Sequence, residues 1–103
     1  MIDMGTQAGN TIQTVPSGDL AGATAADLAE ILFCSSLQPS QGTDPDTVRA
    51  ALQQSLRLHE GRVAACAEEL AACYGKEPDV ACHRMRWCRD LVARLFPNVP
   101  AFG

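Results

Sequence analysis

The spacing of the apolar residues constrains this fold more than any other feature of the sequence. Apolar side chains recur at intervals of three and four residues through most of residues 24–96, which is the spacing of one face of an α-helix. No window alternates apolar and polar residues for long enough to indicate a β-strand. Because 47% of the 103 residues are hydrophobic and 19% are charged, the chain has enough apolar surface for one small core. The sequence therefore predicts a single all-α domain, a compact arrangement of four helices.

Capping and turn residues divide this helical pattern into four segments. Thr24 and Asp27 have the form of a capping box, and Asp44 stands directly before Pro45, a residue suited to the first helical turn. Gly75 is expected to adopt a left-handed conformation and to end the third helix at Tyr74. The expected helices cover residues 24–37, 45–60, 62–74 and 78–96.

The N-terminal part of the chain differs from the helical part. Residues 1–23 are poor in apolar anchors, so we expect a flexible tail there and a single helical domain over residues 24–103. The alternative is that this tail becomes ordered on a partner. The sequence shows neither the basic and apolar leader of a secreted protein nor a run of about 18–20 apolar residues. A cytoplasmic location without membrane contact is therefore expected.

The charge is unevenly distributed along the chain. Eight basic and twelve acidic side chains give a formal charge of -4, which disfavours a protein that coats nucleic acid by charge alone. Residues 80–96 are the exception, because four arginines there stand against one acid, Asp90, for a local charge of +3. Arg84 falls within the apolar arc of its helix, so we expect it to pair internally or to lie under Trp87.

The five cysteines fit neither a metal site nor a disulfide framework well. They are widely spaced and include no Cys-x-x-Cys pair, the usual source of zinc ligands. We expect Cys66, Cys73 and Cys88 to be buried, reduced core residues without a metal, and Cys34 and Cys82 to be partly exposed. The alternatives are a metal site and a hairpin crosslinked as Cys66–Cys88 and Cys73–Cys82.

Catalytic constellations are not apparent in the sequence. His59 is expected near the end of the second helix and His83 on the polar face of the fourth. Cys82 and His83 are adjacent, but neighbouring residues of a helix diverge by about 100°, so they do not form a nucleophile–base pair. A glycine-rich phosphate loop and a serine elbow are both missing. We therefore expect no enzymatic activity, no catalytic residues and no cofactor.

Residues 62–96 have the pattern of two helices joined by a tight turn. In residues 70–85 an apolar residue is followed by the small Ala71, then by Gly75, then by polar residues, and a second helix begins with Val80 on its apolar side. This pattern resembles a helix-turn-helix. Its continuation over residues 84–91 is similar to the end of region four of bacterial sigma factors and to related response-regulator domains.

The resemblance implies a binding role for the fourth helix. In helix-turn-helix proteins the second helix of the motif enters the major groove with its early exposed residues leading. The implied contact residues for DNA or a partner are Lys76, Asp79, Cys82, His83, Arg86 and Arg89, of which Arg89 and Lys76 would contact phosphates. The resemblance thus implies a small transcription-related regulator that binds DNA or a protein of the transcription machinery. The alternative is a protein–protein interaction adaptor that does not bind nucleic acid.

Overall fold

A computed structural model describes residue 20 and residues 22–100 of the chain. Within these residues the protein forms four α-helices and one short 3₁₀ helix, Pro39–Gln41, and no strand, which confirms the all-α prediction. The helices are α1 (Ala25–Phe33), α2 (Pro45–Leu58), α3 (Val63–Lys76) and α4 (Pro78–Leu95). The predicted tail over residues 1–23 lies largely outside the described residues.

Local capping starts the first two helices where the sequence predicts. The Thr24 hydroxyl accepts a hydrogen bond from the Asp27 amide, and the Asp27 carboxylate accepts one from the Thr24 amide, each at 3.1 Å. At the start of α2, the Asp44 carboxylate accepts hydrogen bonds from the Thr47 amide at 3.0 Å and from its hydroxyl at 2.7 Å. These bonds satisfy amides that have no partner within the helix.

The end of α3 corrects the sequence prediction. Gly75 lies inside α3, which continues to Lys76, and the glycines of the described chain with positive φ are Gly22, Gly42 and Gly61. The helix ends at Glu77, whose φ is -141° and ψ 76°. Since a proline disfavours the helical conformation of the residue before it, Pro78 rather than Gly75 explains this break.

The four helices share one core, and α1 packs against each of the other three. Five residues of α1 are buried in this core: Leu28, Ala29, Ile31, Leu32 and Phe33. The predicted stripe of α4 is buried at Ala81, Met85, Cys88 and Val92, and Leu95 is half-buried. Leu20 is also buried, so the packed domain extends beyond Thr24 toward the N-terminus.

The segment after α4 closes the domain against the start of α1. Phe96 is buried, and the Pro100 carbonyl accepts a hydrogen bond of 2.6 Å from the Ala25 amide. This contact satisfies one of the amides that the first turn of α1 leaves without a helical partner. Among the described helices, none is both long and apolar enough to cross a bilayer.

Candidate functional site

Five of the six predicted contact residues are exposed on α4, and the sixth, Lys76, is exposed at the end of α3. Because an α-helix turns by about 100° per residue, positions 82, 86 and 89 fall along one line of α4. These three side chains line a groove of about 350 Å³ between α3 and α4. We call it the outer groove; its lining residues are Tyr74, Cys82, Met85, Arg86, Arg89 and Asp90.

The other predicted residues lie outside this groove. Asp79 and His83 are one turn apart on the adjoining side of α4, where the His83 Nδ1–H donates a hydrogen bond of 2.9 Å to the Asp79 carbonyl. Lys76 lines a different cleft, together with Val80 and Arg84. The structure therefore brings Cys82, Arg86 and Arg89 together and does not add Lys76 to them.

The charge of the outer groove is small. Arg86 and Arg89 supply two positive charges, and Asp90 in the same lining supplies one negative charge. Arg89 also acts on Glu30 of α1: burial and Asp27 raise the pKa of Glu30, whereas Arg89 opposes that rise. Arg89 thus interacts electrostatically with Glu30, an acidic residue of the protein itself.

Arg84 is occupied within the fold, as the sequence predicts. Its Nε–H donates to the Phe33 carbonyl at 2.9 Å, and its Nη2 donates to the carbonyls of Ser35 at 2.9 Å and Leu32 at 3.3 Å. The guanidinium also lies over the rings of Phe33 and Trp87, at 5.8 and 5.4 Å from their centroids. It stabilises the carbonyl end of α1, where a cation is favoured by the helix dipole.

The cysteines differ in burial from the prediction at one position. Cys66 and Cys88 are buried and Cys82 is exposed, as expected, and Cys34 is half-buried. Cys73 is half-buried rather than buried. It lines the cleft that contains Lys76 and Val80, which accounts for its partial exposure.

A second cluster of reactive side chains lies where α1, α2 and α3 meet. Cys34 follows the last residue of α1, His59 follows the last residue of α2, and Cys66 lies in the first turn of α3. One donor atom from each of these three residues lies within 4.8 Å of the other two. We call them the thiol–imidazole cluster.

Hydrogen bonds orient two members of this cluster, Cys34 and His59. The Cys34 thiol donates to the Cys66 carbonyl at 3.3 Å. The His59 Nδ1–H donates to the Ser55 carbonyl at 2.8 Å, and its Nε2 lies 2.7 Å from Oε1 of Glu69. The imidazole is therefore held between α2 and α3, with its Nε2 directed at a carboxylate.

Burial and hydrogen bonding set the protonation of the cluster. Burial, and to a smaller extent the Glu69 charge, raise the pKa of the Cys34 thiol. Burial also raises the pKa of the Cys66 thiol. The pKa of His59 is raised by its bond to the Ser55 carbonyl and then by Glu69. Both thiols consequently keep their protons at neutral pH, and a ligand that needs thiolates must displace them.

The sequence reasoning did not find this cluster, because its members come from three helices and lack the close spacing of a zinc knuckle. One local signal was available. Six residues separate His59 from Cys66, and they include residues 60–62 of the turn that joins α2 to α3. A histidine and a cysteine on either side of so short a turn face each other when the two helices fold back.

The connection between α3 and α4 is shorter than in the motif that residues 62–96 resemble. Glu77 alone separates the two helices, whereas a helix-turn-helix usually has a turn of three or four residues. No protein-family model matches this chain, and no curated protein or solved structure matches it. The resemblance to a helix-turn-helix stays a prediction.

Proposed function

We propose that this chain is a non-catalytic interaction module that binds an acidic segment of a protein partner in the outer groove. The observation that carries the proposal is the placement of Arg86 and Arg89 in one groove with Tyr74 and Met85. Two guanidinium groups beside an aromatic wall suit a short peptide that combines carboxylates with an apolar residue.

The two arginines are spaced for this task. Residues three apart on a helix are neighbours on its surface, so Arg86 and Arg89 can each hold a carboxylate of one extended segment. Arg86 and Arg89 are both exposed. Arg84, two residues earlier, is held by three carbonyls of the fold, so it is not available to a partner.

The charges of the outer groove favour a partner with a few negative charges over a polyanion such as DNA. A duplex-binding protein neutralises several phosphates with lysines and arginines. Here the outer groove contains two arginines and Asp90, and the whole chain carries a formal charge of -4. Two arginines are enough to pair with two carboxylates of a protein segment.

A second candidate is the transcription-related regulator that binds DNA through α4. One observation favours it: Asp79, Cys82, His83 and Arg86 are all exposed along the first turns of α4. That is the position from which a recognition helix contacts base edges. In this reading Arg86 contacts bases and Arg89 contacts a phosphate.

A peptide-display selection tests the proposal. A library of random peptides is selected on the wild-type protein, and the enriched peptides are titrated against R86A/R89A and against R57A/R62A. The second variant is a matched control, since it removes two exposed arginines that lie away from the groove. We expect enriched peptides with acidic and aromatic residues whose affinity falls about tenfold or more in R86A/R89A, about 1–3 kcal/mol, and stays unchanged in the control. Peptides without acidic residues, or equal losses in both variants, would contradict the proposal.

A salt titration with random-sequence duplex DNA separates the two candidates. A DNA-binding protein shows affinity that falls steeply with salt, by a slope of about -0.9 for each neutralised phosphate. For an interaction module we expect no measurable duplex binding at about physiological ionic strength. Duplex binding with a steep slope, lost in R86A/R89A and kept in R57A/R62A, would favour the regulator instead.

A further inference from the structure

The thiol–imidazole cluster has the donor set of a metal site. Two thiol sulfurs and one imidazole nitrogen, from Cys34, Cys66 and His59, lie within 4.8 Å of one another. A tetrahedral zinc ion with bonds of about 2.3 Å to sulfur and 2.0–2.1 Å to nitrogen has donor atoms about 3.6–3.8 Å apart. The three donors therefore need to approach one another by at most about 1 Å. Rotation about the cysteine χ1 torsions can supply such a movement.

One ring nitrogen of His59 is anchored as in a metal-bound histidine. Histidine ligands usually donate one ring N–H to a carbonyl or carboxylate, and the other nitrogen binds the ion. His59 shows this arrangement, because its Nδ1–H donates to the Ser55 carbonyl at 2.8 Å and leaves Nε2 directed at Glu69. Its side chain is 15% exposed, so the ring has little freedom to leave this position.

A fourth donor is next to the cluster. Glu69 follows Cys66 by one turn of α3, and its Oε1 lies 2.7 Å from Nε2 of His59. The Glu69 side chain is 51% exposed, so the carboxylate can move without unfolding its surroundings. An ion that enters between the imidazole and the two sulfurs would take this oxygen as its fourth ligand.

The site has an approach from solvent. A cleft of about 200 Å³ between α1 and α2 is lined by Cys34 and by Ser55, the residue whose carbonyl holds His59. A metal ion can reach the Cys34 sulfur through this opening. Cys66, the other thiol of the cluster, is buried.

We propose that Cys34, His59, Cys66 and Glu69 form a structural zinc site that joins α1 to the turn between α2 and α3. On binding, Zn²⁺ forms two bonds to sulfur, one to nitrogen and one to oxygen. The thiol protons of Cys34 and Cys66 pass to solvent, together with any proton on Nε2, and no electron is transferred. Four protein ligands close the coordination sphere, which is typical of structural rather than catalytic zinc.

A bound ion would also restrain the turn 59–62. Glu60 is the one non-glycine residue of the described chain with positive φ, at 60°, and it is followed by Gly61 at 74°. A bond from the preceding His59 to an ion held by α1 and α3 would hold this turn in place. The proposal is independent of the outer groove on α4.

Metal titration of the full chain under reducing conditions tests the site. We expect native mass spectrometry to show one Zn²⁺ per chain. We expect Co²⁺ to produce thiolate-to-metal charge transfer and the strong visible bands of tetrahedral coordination, and Zn²⁺ to remove both. These measurements use the wild-type protein, so they do not depend on whether a variant folds. Absence of stoichiometric binding, or octahedral Co²⁺ spectra without charge transfer, would overturn the proposal.

Matched variants then assign the ligands. C34S and H59Q are compared with C82S and H83Q, which change an exposed cysteine and an exposed histidine of α4. We expect C34S and H59Q to weaken Zn²⁺ binding by about a hundredfold or more, with C34S reducing the charge-transfer intensity by about half and H59Q leaving it largely intact. The controls should bind as wild type. Equal binding in C34S and wild type, or loss of binding in C82S, would contradict the assignment.

Glu69 has its own test. E69Q keeps both sulfurs and the imidazole, so we expect it to retain the charge-transfer band and to lose about 10–100-fold in affinity. E68Q is the matched control, since Glu68 is exposed beside it on α3. Affinity equal to wild type in E69Q would overturn the assignment of Glu69 as the fourth ligand. A Cys34–Cys66 disulfide that persists in the reductant and prevents Zn²⁺ binding would overturn the whole proposal.

Discussion

The inner edge of α4 and its outer groove contain arginines that are two residues apart in the sequence and differ completely in environment. Arg84 donates to three carbonyls at the end of α1 and lies against two aromatic rings. Arg86 is exposed in the groove between α3 and α4. Two residues correspond to about 200° around a helix, so the two side chains point to opposite sides. The position of an arginine on its helix therefore decides whether the fold encloses its side chain or leaves it exposed.

The C-terminal end of α1 explains why an arginine is needed at position 84. The last carbonyls of a helix have no amide partner within the helix. The carbonyls of Leu32 and Phe33 in α1, and that of Ser35 just beyond it, all accept from Arg84. The Ser35 hydroxyl donates to the Leu32 carbonyl at 2.6 Å. No comparable group of acceptors lies in the outer groove, as far as the described residues show. We therefore expect Arg86 to contribute little to stability.

The largest expected effect is that of Arg84→Ala. It removes three charge-assisted hydrogen bonds and two cation–π contacts, so we expect the free energy of unfolding to fall by about 2–4 kcal/mol. Urea denaturation followed by circular dichroism measures this. Arg86→Ala is the control and should change stability by less than about 0.5 kcal/mol. Similar losses in the two variants would break the distinction between the two sides of α4.

The two cysteines of α4 sharpen the same comparison. Cys88 belongs to the core, and burial raises the pKa of its thiol to about 11. Cys82 is exposed beside Arg86. We expect Cys82 to react with iodoacetamide at pH 8 about a hundredfold faster than Cys88, because Cys88 is shielded and rarely ionised. Peptide mass spectrometry after a short exposure measures both rates. In urea, where both cysteines are exposed, the two rates should become similar, and equal rates in the native protein would refute the assigned burial.

Ser55 extends the comparison to α2. Ser55 is buried, and its hydroxyl donates to the Ile31 carbonyl of α1 at 2.8 Å. Ser55→Ala leaves that carbonyl without this donor, so we expect a loss of about 1–2 kcal/mol in the free energy of unfolding. Ser40→Ala, at an exposed position of the 3₁₀ helix, should be neutral in the same urea titration. A neutral Ser55→Ala would show that the end of α1 depends on Arg84 alone.

The smallest expected effect is that of pH at the exposed start of α2. Hydrogen bonds from the Thr47 hydroxyl and amide lower the pKa of the Asp44 carboxyl from its ordinary value of 3.8. A lowered pKa in the folded state means that this stabilisation is present at neutral pH and is lost as the pH falls below that value. Asp44→Asn keeps a capping side chain, so we expect an unchanged melting temperature at pH 7 and a shallower decrease on acidification. Asp46→Asn in the same turn is the control, and an identical acid profile for Asp44→Asn and wild type would contradict the prediction.

Short-range signals were enough for the starts of the helices. Thr24 with Asp27, and Asp44 with Pro45, act within four residues of each other, so their bonds form wherever the helix is placed. The internal position of Arg84 was also predictable, because helical periodicity places it in the apolar arc. The end of α3 was assigned to the wrong residue. Both Gly75 and Pro78 can stop a helix, and no local pattern shows which of them does.

The candidate sites depended on the sequence to different degrees. The row of positions 82, 86 and 89 follows from the period of one helix, so the sequence placed these residues on one line of α4. That Tyr74 of α3 would form the facing wall, and that Lys76 would lie elsewhere, depends on how α3 docks on α4. Cys34, His59 and Cys66 belong to different segments, so helical periodicity does not relate their positions.

Helix identity, helix starts and the apolar stripes were determined by the order of residues alone, because each depends on bonds or periodicity within one segment. The partners of Arg84, the shielding of Cys66 and the exposure of Cys73 were decided only when the helices packed. The meeting of Cys34, His59 and Cys66 needs the end of α1, the end of α2 and the first turn of α3 at one point. The sequence neighbours of each residue are the same however the chain folds, so they do not reveal this meeting. It results from the packing of the three helices.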